Sequence, residues 1–161
     1  MKIKLFIASL LIAGAALSSM AQGYKDGIEY YKVGQLDNAK ELIERNLTSA
    51  SNKAEAYFYL GQIALKQNNA AEAKAAFDKG VAADANYPYN YVGQAQIALK
   101  NGEQPKALLE TARKLSKKDA ALETAIARAY YSVDPTKYAK DLEKCVKHGD
   151  REKTTARVVH L

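Results

Sequence analysis

Apolar and polar positions follow the period of α-helices along most of this chain. Apolar residues recur three and four positions apart in stretches of about a dozen residues, the spacing that buries one helix face. Short polar breaks at 33–35, 67–69 and 101–103 separate these stretches, and each carries a Gly or an Asn. These residues tolerate the left-handed conformation that ends a helix. The pattern predicts helix-turn-helix hairpins and an all-α fold.

The hairpins recur every 34 residues. The segment Gln62–Lys66 (QIALK) returns as Gln96–Lys100, and the same shift relates small residues on successive helices: Gly27 and Gly61, followed by Ala95, and Ala39, Ala73 and Ala107. Helices approach closely only where the side chains between them are small. We therefore expect these positions at helix crossings, with larger residues (Tyr30, Leu60, Phe77, Leu108) filling the space around them. No such hairpin buries its apolar face alone, so neighbours must stack.

This repeat resembles the tetratricopeptide repeat. The small residues match that family's eighth and twentieth positions, Tyr57 and Tyr91 its bulky fourth, Tyr30 its eleventh and Phe77 its twenty-fourth. The closing proline of the family's repeat is missing. The resemblance implies an α-α superhelix (a TPR solenoid) of three to four repeats, at about 20–53, 54–87 and 88–121, with a divergent one at 120–149.

The fourth hairpin is offset by two residues. Ala127, Tyr130 and Ala139 then occupy the family's small, aromatic and small positions, and Asp134-Pro135 caps and starts the second helix. We expect that helix to end at Gly149. Residues 150–161 are then a C-terminal tail, either a short helix over the last hairpin or the truncated start of a fifth repeat.

The first 21 residues have the features of a secretory signal peptide. Lys2 and Lys4 precede a 13-residue apolar run, Leu5–Leu17, and Ser19–Ala21 provides small residues for cleavage before Gln22. The run is too short to cross a bilayer as a helix, which takes roughly 20 residues, although an uncleaved anchor is the alternative. The expected location is the periplasm or cell envelope of a Gram-negative bacterium, with no integral membrane span after signal removal.

Composition narrows the possible functions. The chain has 24 Lys and Arg against 18 Asp and Glu, and signal removal leaves 22 against 18. In an exported protein this mild excess is poor evidence for nucleic-acid binding, which we do not expect. One cysteine and two histidines near the end supply no metal site, cofactor site or catalytic triad. We expect no enzyme activity, no metal and no cofactor.

The family resemblance implies a binding surface instead. In tetratricopeptide proteins the first helix of each hairpin lines a concave groove that holds a peptide or a partner helix. The positions carried over to this chain are Tyr24, Ile28, Tyr31, Lys32, Phe58, Tyr59, Gln62, Leu65, Lys66, Tyr89, Val92, Gln96, Leu99, Lys100, Arg128 and Tyr131. Tyr24, Ile28 and Tyr59 stand where the carboxylate clamp of chaperone-binding members has Lys and Asn, so that clamp should be absent.

Two functions remain open. The first is an exported, non-enzymatic scaffold for protein–protein interaction, whose tyrosines and lysine row favour a protein or peptide of acidic or carboxylate character. Lys32, Lys66 and Lys100 also suit a purely structural role, because a cation complements the negative end of a helix dipole. The alternative function is a structural subunit of a larger envelope or secretion assembly that uses its end faces, with an open edge at Val158, Val159 and Leu161.

Overall fold

The protein folds as a series of helices. The computed structural model describes the backbone of residues 23–159 and the side chains of residues 23–150, so the predicted signal peptide and the edge at 158–161 lie outside the described side chains. This part of the chain contains eight helices and no strand: α1 at 23–32, α2 at Leu36–Arg45, α3 at Lys53–Lys66, α4 at Ala70–Ala83, α5 at Pro88–Lys100, α6 at Lys106–Leu115, α7 at Ala120–Tyr131 and α8 at Pro135–Val159. The all-α prediction is confirmed.

The three predicted breaks each turn through a left-handed residue. Gly34, Asn68 and Gly102 have φ values of 82°, 59° and 77°, and they lie 34 positions apart. Glycine and asparagine adopt this conformation at low cost. The chain therefore reverses direction at the same point of each of the first three hairpins.

The hairpins stack in sequence order. The odd-numbered helices α3, α5 and α7 contact one another in a row, while α4 packs between α3 and α5, and α6 packs against α5 and α7. Apolar clusters fill these contacts. One joins α1, α2 and α3 through Ile28, Ile43 and Ile63, and another joins α5, α6 and α7 through Val92, Leu109 and Ile126.

Small residues lie where the helices approach most closely, as the repeat predicts. Ala39, Ala73 and Ala95 are fully buried. A β-carbon added at Gly27 would lie 2.6 Å from Cγ1 of Ile43, and one added at Gly61 would overlap the ring of Phe77. The absence of a side chain at both glycines is therefore required by the neighbouring helix.

The prediction for Ala107 is wrong, because the third hairpin changes register. Its turn, 101–105, is two residues longer than the 67–69 turn and ends at Pro105, so α6 begins late. Leu109 and Ala112 take the buried positions with exposed fractions of 3% and 0%, whereas Ala107 faces solvent.

Helix α8 differs from its prediction in two ways. Its start is confirmed, since Asp134 Oδ1 accepts a hydrogen bond of 3.0 Å from the Lys137 N–H ahead of a helix that begins at Pro135. Ala139, however, is exposed, and Tyr138 and Leu142 are the half-buried residues of that stretch. The predicted end at Gly149 is also wrong. The helix continues through Gly149 to Val159, because a helix interior tolerates glycine at a cost of about 1 kcal/mol.

Tyr30 was expected in the core and is instead 38% exposed. Phe77 is fully buried as predicted, and Leu60 and Leu108 are half-buried. Tyr30 belongs to the first hairpin, so no described helix precedes it to cover its ring. Among the described helices, none combines the length and apolarity needed to cross a bilayer.

Candidate functional site

The first helices of the four hairpins line one groove. Its cavity has a volume of about 260 Å³. The lining residues, which define the concave groove below, are Tyr31 from α1, Phe58, Tyr59 and Gln62 from α3, Tyr89, Val92 and Gln96 from α5, and Ala121, Thr124, Ala125, Arg128 and Ala129 from α7. Because α1 and α7 reach the same cavity, the row of first helices curves toward this side.

A chain of aromatic rings forms one wall of the concave groove. The ring centroids of Tyr31 and Tyr59 lie 5.3 Å apart, those of Tyr59 and Phe58 also 5.3 Å, and those of Phe58 and Tyr89 5.7 Å. The pairs are T-shaped or tilted, the arrangements that aromatic rings prefer. The rings are half-buried against one another and present a continuous apolar surface across three repeats.

A row of polar side chains runs beside these rings. Gln62 Nε2 donates a hydrogen bond of 3.2 Å to Gln96 Oε1, and Gln96 Nε2 donates one of 2.9 Å to Ser132 Oγ. The two glutamines are equivalent positions of the 34-residue repeat. Their amides bridge α3, α5 and the end of α7, which fixes the spacing of the first helices along the concave groove.

The groove tyrosines stay neutral over a wide pH range. Burial raises the pKa of Tyr31 and of Tyr59, and it raises the pKa of Tyr89 to about 12. Within the described residues none of these three hydroxyls has a hydrogen-bond partner. Each is therefore able to donate a hydrogen bond to a bound molecule.

Two cations supply positive charge at the groove. Lys66 Nζ lies 5.1 Å from the centre of the Tyr31 ring, within the range of a cation–π interaction. The exposed Arg128 lies near enough to Tyr31 to influence its hydroxyl, and it forms no ion pair with any described residue. The concave groove lining contains no acidic side chain, so its charge is positive.

Half of the sixteen predicted positions lie in the concave groove: Tyr31, Phe58, Tyr59, Gln62, Tyr89, Val92, Gln96 and Arg128. Three others lie in the core. Tyr24, Ile28 and Leu65 have exposed fractions of 0%, 3% and 6%. The Tyr24 hydroxyl is 3.2 Å from both Ser51 Oγ and Glu55 Oε2, which holds the ring inside the first two repeats.

The remaining five predicted positions lie outside the cavity. Lys32, Lys66 and Lys100 are exposed at the ends of α1, α3 and α5, Tyr131 is 38% exposed at the end of α7, and Leu99 is half-buried in the cluster of α5, α6 and α7. Lys32 Nζ pairs with Glu29 Oε1 at 2.6 Å. None of the three lysines lines the cavity, and Lys66 lies beside it at the Tyr31 ring.

Sequence reasoning missed four groove residues, all of them on α7: Ala121, Thr124, Ala125 and Ala129. They share one helix face with Arg128, at the i, i+3, i+4 spacing. A run of small residues in register with a basic one was the available signal. These residues also extend the surface, because Ala121, Thr124 and Arg128 border a second cavity of about 520 Å³ between α7 and α8.

Solved structures similar to this chain include PcrH and MamA. PcrH from Pseudomonas aeruginosa has a TM-score of 0.59 and 22% sequence identity, with 73% of this chain and 91% of that chain covered. MamA has a TM-score of 0.54 and 18% identity, with 95% and 89% covered. Both are helical solenoids of the tetratricopeptide type. This chain has the tetratricopeptide-repeat fold. No protein-family model matches it, and no curated protein is similar to it in sequence.

The described residues give little indication of a metal site or a reactive cysteine. No cluster of three or more His, Cys, Asp or Glu side chains there could hold a metal ion. Cys145 is half-buried on α8, and burial raises the pKa of its thiol, which disfavours the reactive thiolate. The concave groove gathers aromatic rings, side-chain amides, hydroxyls and a guanidinium on one described surface.

Proposed function

We propose that this protein is an exported, non-enzymatic scaffold that holds a segment of another protein in its concave groove. One observation carries the proposal: helices from all four repeats line a single cavity that combines aromatic rings, tyrosine hydroxyl donors and an arginine that forms no ion pair with any described residue. A tetratricopeptide solenoid offers such a surface to proteins or peptides.

The size of the cavity limits what binds there. Pockets for small molecules typically enclose about 300–1,000 Å³, and this cavity encloses about 260 Å³. It suits one or two side chains of a larger partner. An apolar side chain of the partner packs against Phe58 and Tyr89, while its backbone carbonyls accept hydrogen bonds from the neutral tyrosine hydroxyls.

The charges favour an acidic partner. Arg128 has its guanidinium available for a carboxylate, and arginine binds carboxylates with two parallel hydrogen bonds. Lys66 adds positive charge beside Tyr31. An aspartate, a glutamate or a terminal carboxylate next to the inserted apolar side chain therefore completes the recognition.

The non-enzymatic part of the proposal rests on the groove chemistry. Its lining has no Asp, Glu, His or Cys, the usual residues of acid–base or nucleophilic catalysis. The export part rests on the leader sequence, with the periplasm or envelope as the destination.

A crosslinking pull-down from intact cells tests the binding site. Ala121→Trp fills the concave groove and Arg128→Glu reverses its charge, and both residues are exposed, so the fold should tolerate the changes. The matched controls are Ala107→Trp on α6 and Lys79→Glu on α4, which are exposed outside the groove. We expect the parent protein and both controls to enrich the same partner and both groove variants to lose it. A partner that survives both groove variants contradicts the proposal.

A further inference from the structure

A second surface lies at the start of the array. Tyr30 and Val33 of the first hairpin are 38% and 71% exposed, and with the half-buried Leu42 they border an open cavity of about 480 Å³. Asp26 and Glu29 complete its lining. These five residues are called the N-terminal end face below. None of them lines the concave groove.

The internal repeat shows what occupies this position elsewhere in the molecule. Two repeats, or 68 positions, further along, Asp26, Glu29, Tyr30 and Val33 correspond to Gln94, Ile97, Ala98 and Asn101, and all four line one cavity of about 330 Å³. Leu108 of α6 also lines that cavity.

In that later cavity a preceding helix forms the opposite wall. Lys74 and Asp78 of α4 border it, and α4 packs directly against α5. At the first hairpin no described helix takes the place of α4. The N-terminal end face is thus the open half of a contact that the protein closes two repeats later.

The polar residues of the two cavities indicate which side chains a helix covering the N-terminal end face would carry. Gln94 Nε2 donates a hydrogen bond of 2.7 Å to Asp78 Oδ1, which joins α5 to α4. Asp26 stands in the place of Gln94, and an ionised carboxylate only accepts hydrogen bonds. Asp26 has no ion pair or hydrogen bond within the described residues. Asp26 therefore favours a helix that presents a donor, best a charged one such as Lys or Arg, where α4 has Asp78.

We propose that the N-terminal end face binds an α-helix of another protein, lying against α1 as α4 lies against α5. The helix covers Tyr30, Val33 and Leu42 with apolar side chains and pairs a Lys or Arg with Asp26. This surface goes beyond the proposed function, since it acts independently of the concave groove.

A second copy of this chain does not supply a Lys or Arg opposite Asp26. Of the described helices, α8 is the one that would continue the array onto α1 of another copy. Its ninth residue, Glu143, occupies the place that Asp78 has as the ninth residue of α4. The contact would bring Glu143 against Asp26, and two like charges repel each other. The charges therefore favour a different, basic partner helix.

Two peptides derived from α4 provide the probe. Both have the sequence of residues 69–84 with a hydrocarbon staple in place of Ala71 and Ala75, which are exposed on α4, so both are helical in solution. One keeps Asp78 and the other carries Asp78→Lys. Binding of each labelled peptide to the purified protein is measured by fluorescence anisotropy.

We expect the lysine peptide to bind about tenfold more tightly than the aspartate peptide, a difference of about 1.4 kcal/mol. Asp26→Lys in the protein should reverse the order. Val33→Glu should weaken both peptides, while Val133→Glu, at another exposed valine outside this face, should leave them unchanged.

Four outcomes overturn the inference. The first three concern the peptides: neither peptide binds, Asp26→Lys does not reverse their order, or binding is unchanged by Val33→Glu. The fourth is self-association of the protein in sedimentation that Val33→Glu abolishes, because a second copy then occupies the face. The groove variant Ala121→Trp separates the two proposals. It should bind the lysine peptide normally, and its loss of the peptide would place the probe in the concave groove instead.

Discussion

Single residues without side chains set the distances between helices in this protein. Phe77 is fully buried, and β-carbons added at Gly61 on one side or at Gly93 on the other would both overlap its ring. Interiors packed this tightly do not absorb an extra methyl group easily. Gly149 on α8 is different, because the atoms nearest to an added β-carbon are 3.9 Å away, an ordinary contact distance.

Replacing these glycines by alanine should therefore have opposite effects. We expect Gly61→Ala to lower the free energy of unfolding by about 1–3 kcal/mol, since Phe77 must move. Gly149→Ala should raise it by about 0.5–1 kcal/mol, because alanine favours the helix and meets no obstacle. Urea denaturation followed by circular dichroism measures both. A neutral Gly61→Ala would show that Phe77 has room to shift.

Burial of the groove tyrosines predicts a loss of stability at high pH. The pKa of Tyr89 is about 12 in the folded protein against 10.0 for an ordinary tyrosine, because its hydroxyl is buried. Above pH 10 the unfolded chain releases this proton while the folded chain keeps it, so deprotonation favours unfolding. The stabilisation is complete below pH 10 and declines as the pH rises toward 12.

Tyr89→Phe isolates this effect, since it removes the proton and keeps the ring. We expect the urea midpoint of the parent protein to fall more steeply between pH 9 and 12 than that of the variant, with tyrosinate absorbance recording the ionisation. Equal falls in both proteins would mean that other groups cause the alkaline unfolding.

The turn before each helix determines where the helix starts and which of its residues are buried. The left-handed turns at 34, 68 and 102 could be predicted, because glycine and asparagine mark them directly in the sequence. The register of α6 could not be predicted by repeating the 34-residue frame. Two additional residues and Pro105 move the helix start, so Leu109 replaces Ala107 at the buried position.

Strain at the left-handed turns is testable without altering any packing. Nothing lies within 4 Å of a β-carbon added at Gly102, so the effect of Gly102→Ala comes from its φ of 77° alone. We expect a loss of about 1–2 kcal/mol in the free energy of unfolding.

Asn68→Gly at the equivalent turn should be neutral or slightly stabilising, because Asn68 already adopts a φ of 59° that glycine reaches without strain. Thermal denaturation of the two variants measures the contrast. Equal shifts in the same direction would mean that the turn conformation does not control stability.

At the scale of the whole molecule, the helical repeat was readable from the sequence, but the surface of the groove only in part. A position in the repeat tells which helix carries a residue. That position does not show how strongly the row of stacked helices curves. Tyr24 and Ile28 were assigned to the groove by position, yet the stacking of the first two repeats encloses them. The small residues of α7 became groove residues only through that curvature.

Removal of the leader is the prediction that concerns the whole chain. We expect protein recovered from the periplasm to begin at Gln22, because Ser19 and Ala21 provide the small residues that a signal peptidase requires. Intact mass spectrometry measures the start. Replacing Ala21 by Lys should block processing and leave the longer chain in the membrane fraction, whereas full-length parent protein in the soluble periplasm would exclude cleavage there.

The shared cavity of α1 and α7 has a consequence for how the array comes apart. Repeat proteins are held by nearest-neighbour contacts and can lose their terminal repeats first. A molecule seated between Tyr31 and Arg128 contacts both of them and so links the first repeat to the fourth. Its release must then precede fraying at either end, so occupancy should turn a gradual melting into a sharper, single transition at higher temperature.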